Sequence, residues 1–195
     1  MKIVLSTNNP GKTMQIMNMF VGSGISILSL AVVGIVGEAV EDGSTLQENA
    51  LKKALFAWKE GRWAMADDTG IFVDALDGAP GVNTANWVGE DKETNQRTLW
   101  ILQQLKDVHD RRATFKTVAA IISPVGKQYF FEGEVQGRIL EAPRAKSQPK
   151  LPWSSIFQPD GSEKVWAEMT VQEENAISHR GKAFQQARAF LETFL

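Results

Sequence analysis

Residues 63–75 read WAMADDTGIFVDA, two apolar runs on either side of a short polar centre. The runs at 63–67 and 70–75 are typical of buried strands. Between them two carboxylates, Asp67 and Asp68, stand side by side before a glycine. Buried carboxylates need a cation or hydrogen bonds, and Mg²⁺ prefers such oxygen ligands. The stretch therefore predicts a Mg²⁺ site at a strand end, with a solvated turn as the alternative because Asp and Gly also favour turns.

The chain on either side mixes strand and helix patterns. The mixture predicts an α/β or α+β fold with a long antiparallel component, in a single domain spanning residues 1–195. The predicted strands are 2–6, 25–28, 31–36, 113–123 and 127–136, the predicted helices are 12–21, 45–58, 93–106 and a last helix from Ser178 onward, and 141–153 is predicted to be loop.

Composition restricts the classes of function. The 195 residues are 43% hydrophobic, enough for a buried core, and the net charge of −2 argues against a dedicated nucleic-acid binder. There are no cysteines and only two histidines, so the expected metal is a hard, oxygen-bound cation rather than zinc. The longest apolar stretch, 25–37, is too short to span a bilayer, and the N-terminus does not read as a signal peptide. We expect a cytoplasmic protein without a membrane partner.

The segment 6–13 reads STNNPGKT and lies between a predicted strand and a predicted helix. Helix N-termini bind anions through free N–H groups, and here Thr7 and Asn9 can add donors while Lys12 adds a full charge. The string nearly matches the P-loop pattern, although Ser6 stands where that pattern has its first glycine. The segment indicates phosphate binding, with an ordinary polar turn as the alternative.

A second polar region surrounds the start of the helix predicted at 45–58. Thr45 and Glu48 fit a capping box, and Glu48 is expected mainly to favour the helix dipole. Glu41 just before it is a candidate metal ligand. Lys52 and Lys53 point about 100° apart on a helix, so one can reach a phosphate while the other is solvated.

The C-terminal region supplies candidates for binding a base. Ser178 can cap the last helix, which places His179 and Arg180 in its first turn, where cations are unfavourable to the dipole. Their position suggests an anionic or hydrogen-bonding partner, although both could simply be exposed. Trp153, in a proline-bounded loop, could stack on a base or could cover the core.

Five segments in this order resemble the motifs of the inosine triphosphate pyrophosphatase family, and together they span nearly the whole chain. They are 6–12 (family T-G-N-x-x-K), 48–54 (E-N-A-x-x-K-A), 66–71 with 80–82 (A-D-D-S-G-L and P-G-V), 167–169 (A-E-M) and 177–181 (I-S-H-R-G).

This resemblance implies an elongated mixed central sheet flanked by helices, with an active-site cleft between two lobes. It also implies a homodimer that uses Mg²⁺ to cleave inosine, deoxyinosine and xanthosine triphosphates to a monophosphate and pyrophosphate. Carried over to this sequence, the resemblance implies that the phosphate ligands are Thr7, Asn9, Lys12, Lys53 and Thr69. It implies Glu41 and Asp68 as metal ligands and Asp68 and Lys53 as catalytic residues. It also implies that the base ligands are Trp153, Ser178, His179 and Arg180.

The departures from the family pattern lie mostly where the base would bind. Leu151, Pro152 and Ser154 replace an aromatic residue, a glycine and an acidic residue, while Glu174 replaces a lysine and Gln15 a glutamate. We therefore predict triphosphate hydrolysis with altered or relaxed base specificity. Two other functions remain open: a P-loop-like phosphotransferase and a nucleotide sensor without turnover.

Overall fold

The structure is a computed structural model that describes residues 1–84 and 94–195. Within these ranges seven strands form one mixed sheet, and five α-helices flank it, which confirms the predicted α/β class. The strands are β1 Lys2–Leu5, β2 Ser26–Ser29, β3 Trp63–Val73, β4 Pro80–Gly81, β5 Arg112–Ile122, β6 Gln128–Ile139 and β7 Phe157–Pro159. The helices are α1 Pro10–Met19, α2 Leu46–Ala57, α3 Thr94–Gln104, α4 Val171–Ile177 and α5 His179–Glu192.

The strand order is β2-β1-β3-β5-β6-β7, and β4 pairs with the far end of β3. The pairs β1–β2 and β1–β3 are parallel, whereas every other strand pair is antiparallel. No helix in the described ranges is long and apolar enough to cross a membrane.

The central strand β3 is open at its middle along one edge. On that edge β1 pairs with residues 63–65 and β4 pairs with residues 71–72, while β5 pairs along almost the whole of the other edge. The backbone N–H of Ser6 still donates to the carbonyl of Met65 (2.8 Å), after which the loop leaves the sheet. Between the two short pairings the polar centre of β3 therefore borders a cleft.

The prediction of two strands meeting at Asp67 and Asp68 is wrong, because β3 runs without interruption through both residues. Continuous pairing with β5, including Thr69 opposite Thr117, keeps the segment extended. Successive side chains of a strand point to opposite faces. Asp67 accordingly faces α1 and α5, where it contacts Lys12, and Asp68 faces α2.

Most other predicted elements are confirmed, including the β5–β6 hairpin and the helix that follows Thr45. The strand predicted at 31–36 is wrong: residues 31–33 form a 3-10 turn, and Gly34 ends it in a left-handed conformation (φ 73°). Val36 is 92% exposed, whereas Val33 and Ile35 are half-buried against the core cluster that contains Val4 and Leu30. The helix predicted at 93–106 is α3 within the described residues, and residue 93 lies outside them.

The short helix α4 was not predicted. Its start carries a full capping box, in which the Thr170 hydroxyl accepts from the Glu173 N–H (3.2 Å) and the Glu173 carboxylate accepts from the Thr170 N–H (2.8 Å). The T-x-x-E spacing at 170–173 was the signal that could have revealed it.

Candidate functional site

One cavity at the open middle of β3 brings together the predicted site residues, apart from Ser178. Those that line it are Thr7, Asn9, Lys12, Glu41, Lys53, Asp68, Thr69, Trp153, His179 and Arg180. Ser178 is buried beside the cavity, where its hydroxyl accepts from the Gly181 N–H (3.0 Å) and caps α5. Its predicted capping role is confirmed, whereas its side chain is not brought to the cavity wall.

The loop before α1 is organised by side-chain hydrogen bonds. Asn9 caps the helix, since its Oδ1 accepts from the N–H groups of Gly11 (3.0 Å) and Lys12 (3.3 Å). Its amide nitrogen donates to the Lys150 carbonyl (3.1 Å), which ties this loop to the loop on the opposite side of the cavity. The Thr7 oxygen accepts from the Asn9 N–H (3.2 Å), so the Thr7 hydroxyl proton is still available to a ligand.

Beneath the cavity Asp67 holds two cations on the α1 and α5 face. Its Oδ2 lies 2.9 Å from Lys12 Nζ and 3.3 Å from Arg180 Nε, and it accepts from the Thr69 hydroxyl (3.1 Å). Burial by itself raises the pKa of Asp67, but Lys12 and Arg180 outweigh it and hold that pKa far below its usual range. A second nitrogen of Arg180 donates to Gln15 Oε1 (2.5 Å). Sequence reasoning did not foresee this role of Asp67 as a buried counter-charge.

On the opposite face of β3, Lys53 joins two carboxylates. Its Nζ lies 2.6 Å from Asp68 Oδ1 and 2.9 Å from Glu41 Oε2. Burial lowers the pKa of Lys53, but Asp68 and the other nearby carboxylates more than compensate and the net direction is upward. Burial also raises the pKa of Asp68, against the opposing attraction of Lys53. Lys52 pairs instead with exposed Asp42 outside the cavity, as the helical spacing predicts.

The donor set around Lys53 fits a divalent cation. Glu41 and Asp68 offer hard carboxylate oxygens, and both contact the Lys53 ammonium group, so the two carboxylates lie close enough together to bind one cation. Across the described residues no group of three or more acidic or histidine side chains is arranged to hold a metal. Mg²⁺ typically uses one or two carboxylates and completes its shell with waters and substrate phosphates, so two carboxylates suffice.

Aromatic rings form the opposite end of the cavity. The His179 ring stacks on Phe115 at 4.8 Å between centroids, and Trp166 meets it edge-on at 6.4 Å. Burial lowers the pKa of His179 well below its usual value, so the ring is neutral near pH 7. Trp153 lines the cavity but is only 4% exposed, and it packs in the core cluster that contains Phe157. Trp153 therefore both covers the core and borders the cavity.

The residues that depart from the family pattern form a connected group at this end. Glu174 is buried and accepts from Gln148 Nε2 (2.9 Å), and burial raises its pKa. Gln148 Nε2 also donates to the Trp166 carbonyl (3.3 Å). The Ser154 hydroxyl donates to the Leu151 carbonyl (2.7 Å) and accepts from the Gln148 N–H (2.8 Å). Ser154 thus shapes its own loop, whereas Glu174 brings a negative charge to the cavity wall.

Two glycines allow the start of α5 to approach the site closely. A Cβ atom at Gly133 in β6 would collide with the backbone carbonyl of His179, and one at Gly181 would collide with the carbonyl of Asn175. Glycine at both positions therefore sets the depth at which His179 and Arg180 sit against the sheet.

Comparison with known proteins extends these observations. The model of the Ham1 family matches residues 3–190. The chain is 40% identical over 194 residues to the dITP/XTP pyrophosphatase of Thermoanaerobacter pseudethanolicus (98% of this chain, 96% of the relative). It is 39% identical to the enzyme of the same name from Porphyromonas gingivalis (97% of each chain). Among solved structures it is similar to the Ham1 protein of Staphylococcus aureus (TM-score 0.85, 30% identity, 100% of each chain) and to that of Coxiella burnetii (TM-score 0.86, 31% identity, 99% of each chain).

Proposed function

Because this chain belongs to the Ham1 family, we propose that it hydrolyses purine nucleoside triphosphates such as ITP, dITP and XTP to the monophosphate and pyrophosphate. The relatives at about 40% identity over nearly their full length are dITP/XTP pyrophosphatases, so the chain is a hydrolase of triphosphate anhydrides. The resemblance inferred from the five motifs is confirmed by this membership.

The observation that carries the proposal is the convergence of Lys12, Lys53, Glu41 and Asp68 on one cavity. The two lysines can bind the phosphates of a polyanion, and the two carboxylates can bind a divalent cation. Both lysines are held by carboxylates beneath or beside them, so they are positioned before a substrate arrives. Positioned charges act on developing negative charge without reorganisation at the moment of reaction.

A divalent cation held by Glu41 and Asp68, which we take to be Mg²⁺, would neutralise triphosphate charge and polarise the phosphoryl group. Lys12, with the Thr7 hydroxyl and Asn9, holds phosphate oxygens on the α1 side of the cavity. Lys53 offsets charge on the leaving pyrophosphate from the α2 side. Asp68 also orients the attacking water from the α2 side of the cavity.

The base would occupy the aromatic end of the cavity, beside Trp153, His179 and Arg180. The hydroxyl of Thr69 donates its only proton to Asp67, which argues against the phosphate-binding role expected for this side chain. The buried carboxylate of Glu174 is the largest chemical departure at the base end, and it supports altered base specificity.

A screen of pyrophosphate release tests the proposal with ITP, dITP, XTP and the four standard triphosphates, each with and without Mg²⁺. We expect Mg²⁺-dependent pyrophosphate from the 6-oxopurine nucleotides. Asp68→Asn should abolish that turnover, because it removes a metal ligand and the group that orients water. Release of orthophosphate would instead indicate a phosphotransferase, and nucleotide binding without turnover would indicate a sensor. A tight preference for ITP over every standard nucleotide would contradict altered specificity.

We also propose a cytoplasmic homodimer. The family resemblance supports the dimer, and sedimentation equilibrium of the purified chain measures it directly. A monomer at micromolar concentration would contradict it.

A further inference from the structure

A chain of hydrogen bonds crosses the sheet beneath the cavity and ends on His179. Thr69 and Thr117 are directly opposite each other in the β3–β5 pair, and their hydroxyl oxygens are 2.6 Å apart. Thr69 Oγ1 is 3.1 Å from Asp67 Oδ2, and Thr117 Oγ1 is 2.6 Å from His179 Nδ1. Facing threonines on adjacent strands commonly bond in this way. The mechanism proposed above does not use Thr117.

The proton positions along this chain follow from its first member. Asp67 Oδ2 lies between Lys12 and Arg180, so the carboxylate is ionised and can only accept hydrogen bonds. Thr69 must therefore give its single proton to Asp67, since two facing lone pairs at 3.1 Å would repel. With that proton used, Thr69 Oγ1 can only accept hydrogen bonds, and it accepts from Arg180 Nη2 (3.3 Å) and from the Thr117 hydroxyl (2.6 Å). The single proton of Thr117 is thereby used as well. The contact between Thr117 Oγ1 and His179 Nδ1 can then be a hydrogen bond only if His179 Nδ1 carries the proton.

We propose that this relay holds His179 in the Nδ1–H form, so that Nε2 presents a hydrogen-bond acceptor to the cavity, and that Thr117 is thereby a positioning residue for base selection. His179 lines the cavity, and among the described residues its Nε2 has no hydrogen-bond partner. The ring plane is set by its stacking on Phe115, so the direction of the Nε2 lone pair is set as well.

The consequence for substrate choice rests on the proposed function. An acceptor in the cavity favours a base that offers a ring N–H, as hypoxanthine and guanine do at N1, and disfavours adenine, whose N1 is itself an acceptor. Glu174 on the same cavity wall presents carboxylate oxygens, which adds a second acceptor at this end. A site built to accept a hydrogen bond rejects ligands that leave it unpaired. For the proposed substrates, the relay therefore favours ITP over ATP.

The relay can be tested in the unliganded protein by ¹⁵N NMR of the imidazole rings. The chain has two histidines, and replacing exposed His109 by glutamine leaves His179 alone in the spectrum. We expect a protonated Nδ1 and an unprotonated Nε2. Thr117→Val removes the acceptor for Nδ1–H and should shift the ring to the Nε2–H form, whereas Thr117→Ser keeps the hydroxyl and the original form. An Nε2–H ring in the unsubstituted protein, or no change in Thr117→Val, overturns the relay.

Base selection is tested by kcat/KM for ITP and ATP in the same three proteins. Thr117→Val should lower the ITP-to-ATP selectivity by about tenfold, mainly through the KM for ITP, which corresponds to about 1.4 kcal/mol. Thr117→Ser should keep the selectivity of the unsubstituted protein. If Thr117→Val changes the His179 tautomer but not the ITP-to-ATP selectivity, Thr117 has no role in base selection, and the proposed hydrolysis is unaffected. If the unsubstituted protein cleaves no triphosphate, both the proposed function and the role of Thr117 in base selection are wrong. The ¹⁵N spectrum of the His179 ring still shows whether the hydrogen-bond relay exists.

Discussion

Replacing Asp67 by asparagine would leave two buried cations without the carboxylate that both contact. Lys12 and Arg180 meet at Asp67 Oδ2, and the Asp67 side chain has no exposed surface. Asparagine keeps the shape and one acceptor oxygen but removes the negative charge. The change therefore isolates the electrostatic contribution of the buried group from its packing.

The loss in the free energy of unfolding depends on how far each cation can move towards solvent once Asp67 is replaced. Breaking a buried ion pair from one side typically costs about 3–5 kcal/mol, because the remaining charge is left uncompensated. Both side chains line the cavity, but Arg180 is only 4% exposed, whereas Lys12 is 15% exposed. We therefore expect the lower end, about 3 kcal/mol, because Lys12 can move towards solvent. For a chain of this size that corresponds to a fall in Tm of about 6–12 °C.

Urea unfolding at pH 7 measures the loss, with Asp42→Asn as the matched control. Asp42 also pairs with a lysine, Lys52, but on the surface, so its replacement should produce no resolvable change. Adding inorganic pyrophosphate should restore more stability to Asp67→Asn than to the unsubstituted protein, since an anion in the cavity offsets the uncovered cations. If Asp67→Asn costs no more than Asp42→Asn, Asp67 is not the buried counter-charge described here.

Three further changes test the two ends of the cavity. Lys53→Met should lower kcat/KM for ITP by about 100-fold or more, because it removes a positioned charge from the leaving group, while Lys52→Met should stay within about twofold; equal effects would contradict the assignment. Glu174→Gln should raise kcat/KM for XTP relative to ITP by about tenfold, because xanthine is the more acidic base and its anion is repelled by a buried carboxylate; an unchanged ratio would remove Glu174 from base selection. The third change concerns His179, whose pKa is lowered in the folded protein, so that below about pH 6.5 the unfolded chain binds a proton that the native protein does not. The free energy of unfolding should therefore fall as the pH drops below that value, by at most about 1.4 kcal/mol per pH unit, and His179→Gln should lack this contribution. Urea-unfolding measurements that give the two proteins parallel pH profiles would contradict this prediction.

Local signals predicted much of the fold because they depend on neighbours in the chain. The helix caps at Asn9, Thr45 and Ser178 each accept a hydrogen bond from a backbone N–H one turn ahead. At Thr45 only this half of the capping box forms, since the Glu48 carboxylate accepts from the backbone and hydroxyl of Ser44 instead. The apolar run at 31–36 misled the prediction, because hydrophobicity alone does not say whether a segment finds a partner strand.

Sequence reasoning predicted most of the residues that the structure brings to the candidate site. The motifs identified Lys12, Lys53 and Asp68, and Glu41 was singled out as an acidic residue before the second helix. The structure brings all four to one cavity. Asp67 was harder to place, because an adjacent pair of carboxylates reads as one metal site. In a strand such neighbours face opposite sides, so each aspartate meets a different lysine.

The amino-acid sequence by itself determined most of the elements and which chemical groups are available: carboxylates, ammonium groups and glycines where backbones must approach. Only the tertiary structure decided which of these groups meet. Thr117 and His179 are 62 residues apart in the chain, and Gln148 and Glu174 are 26 apart, yet each pair shares a hydrogen bond. The reason is physical, since a cap or a periodic stripe is set within one or two turns of chain. A buried hydrogen-bond chain exists only after the sheet register and the docking of α5 have brought its members together.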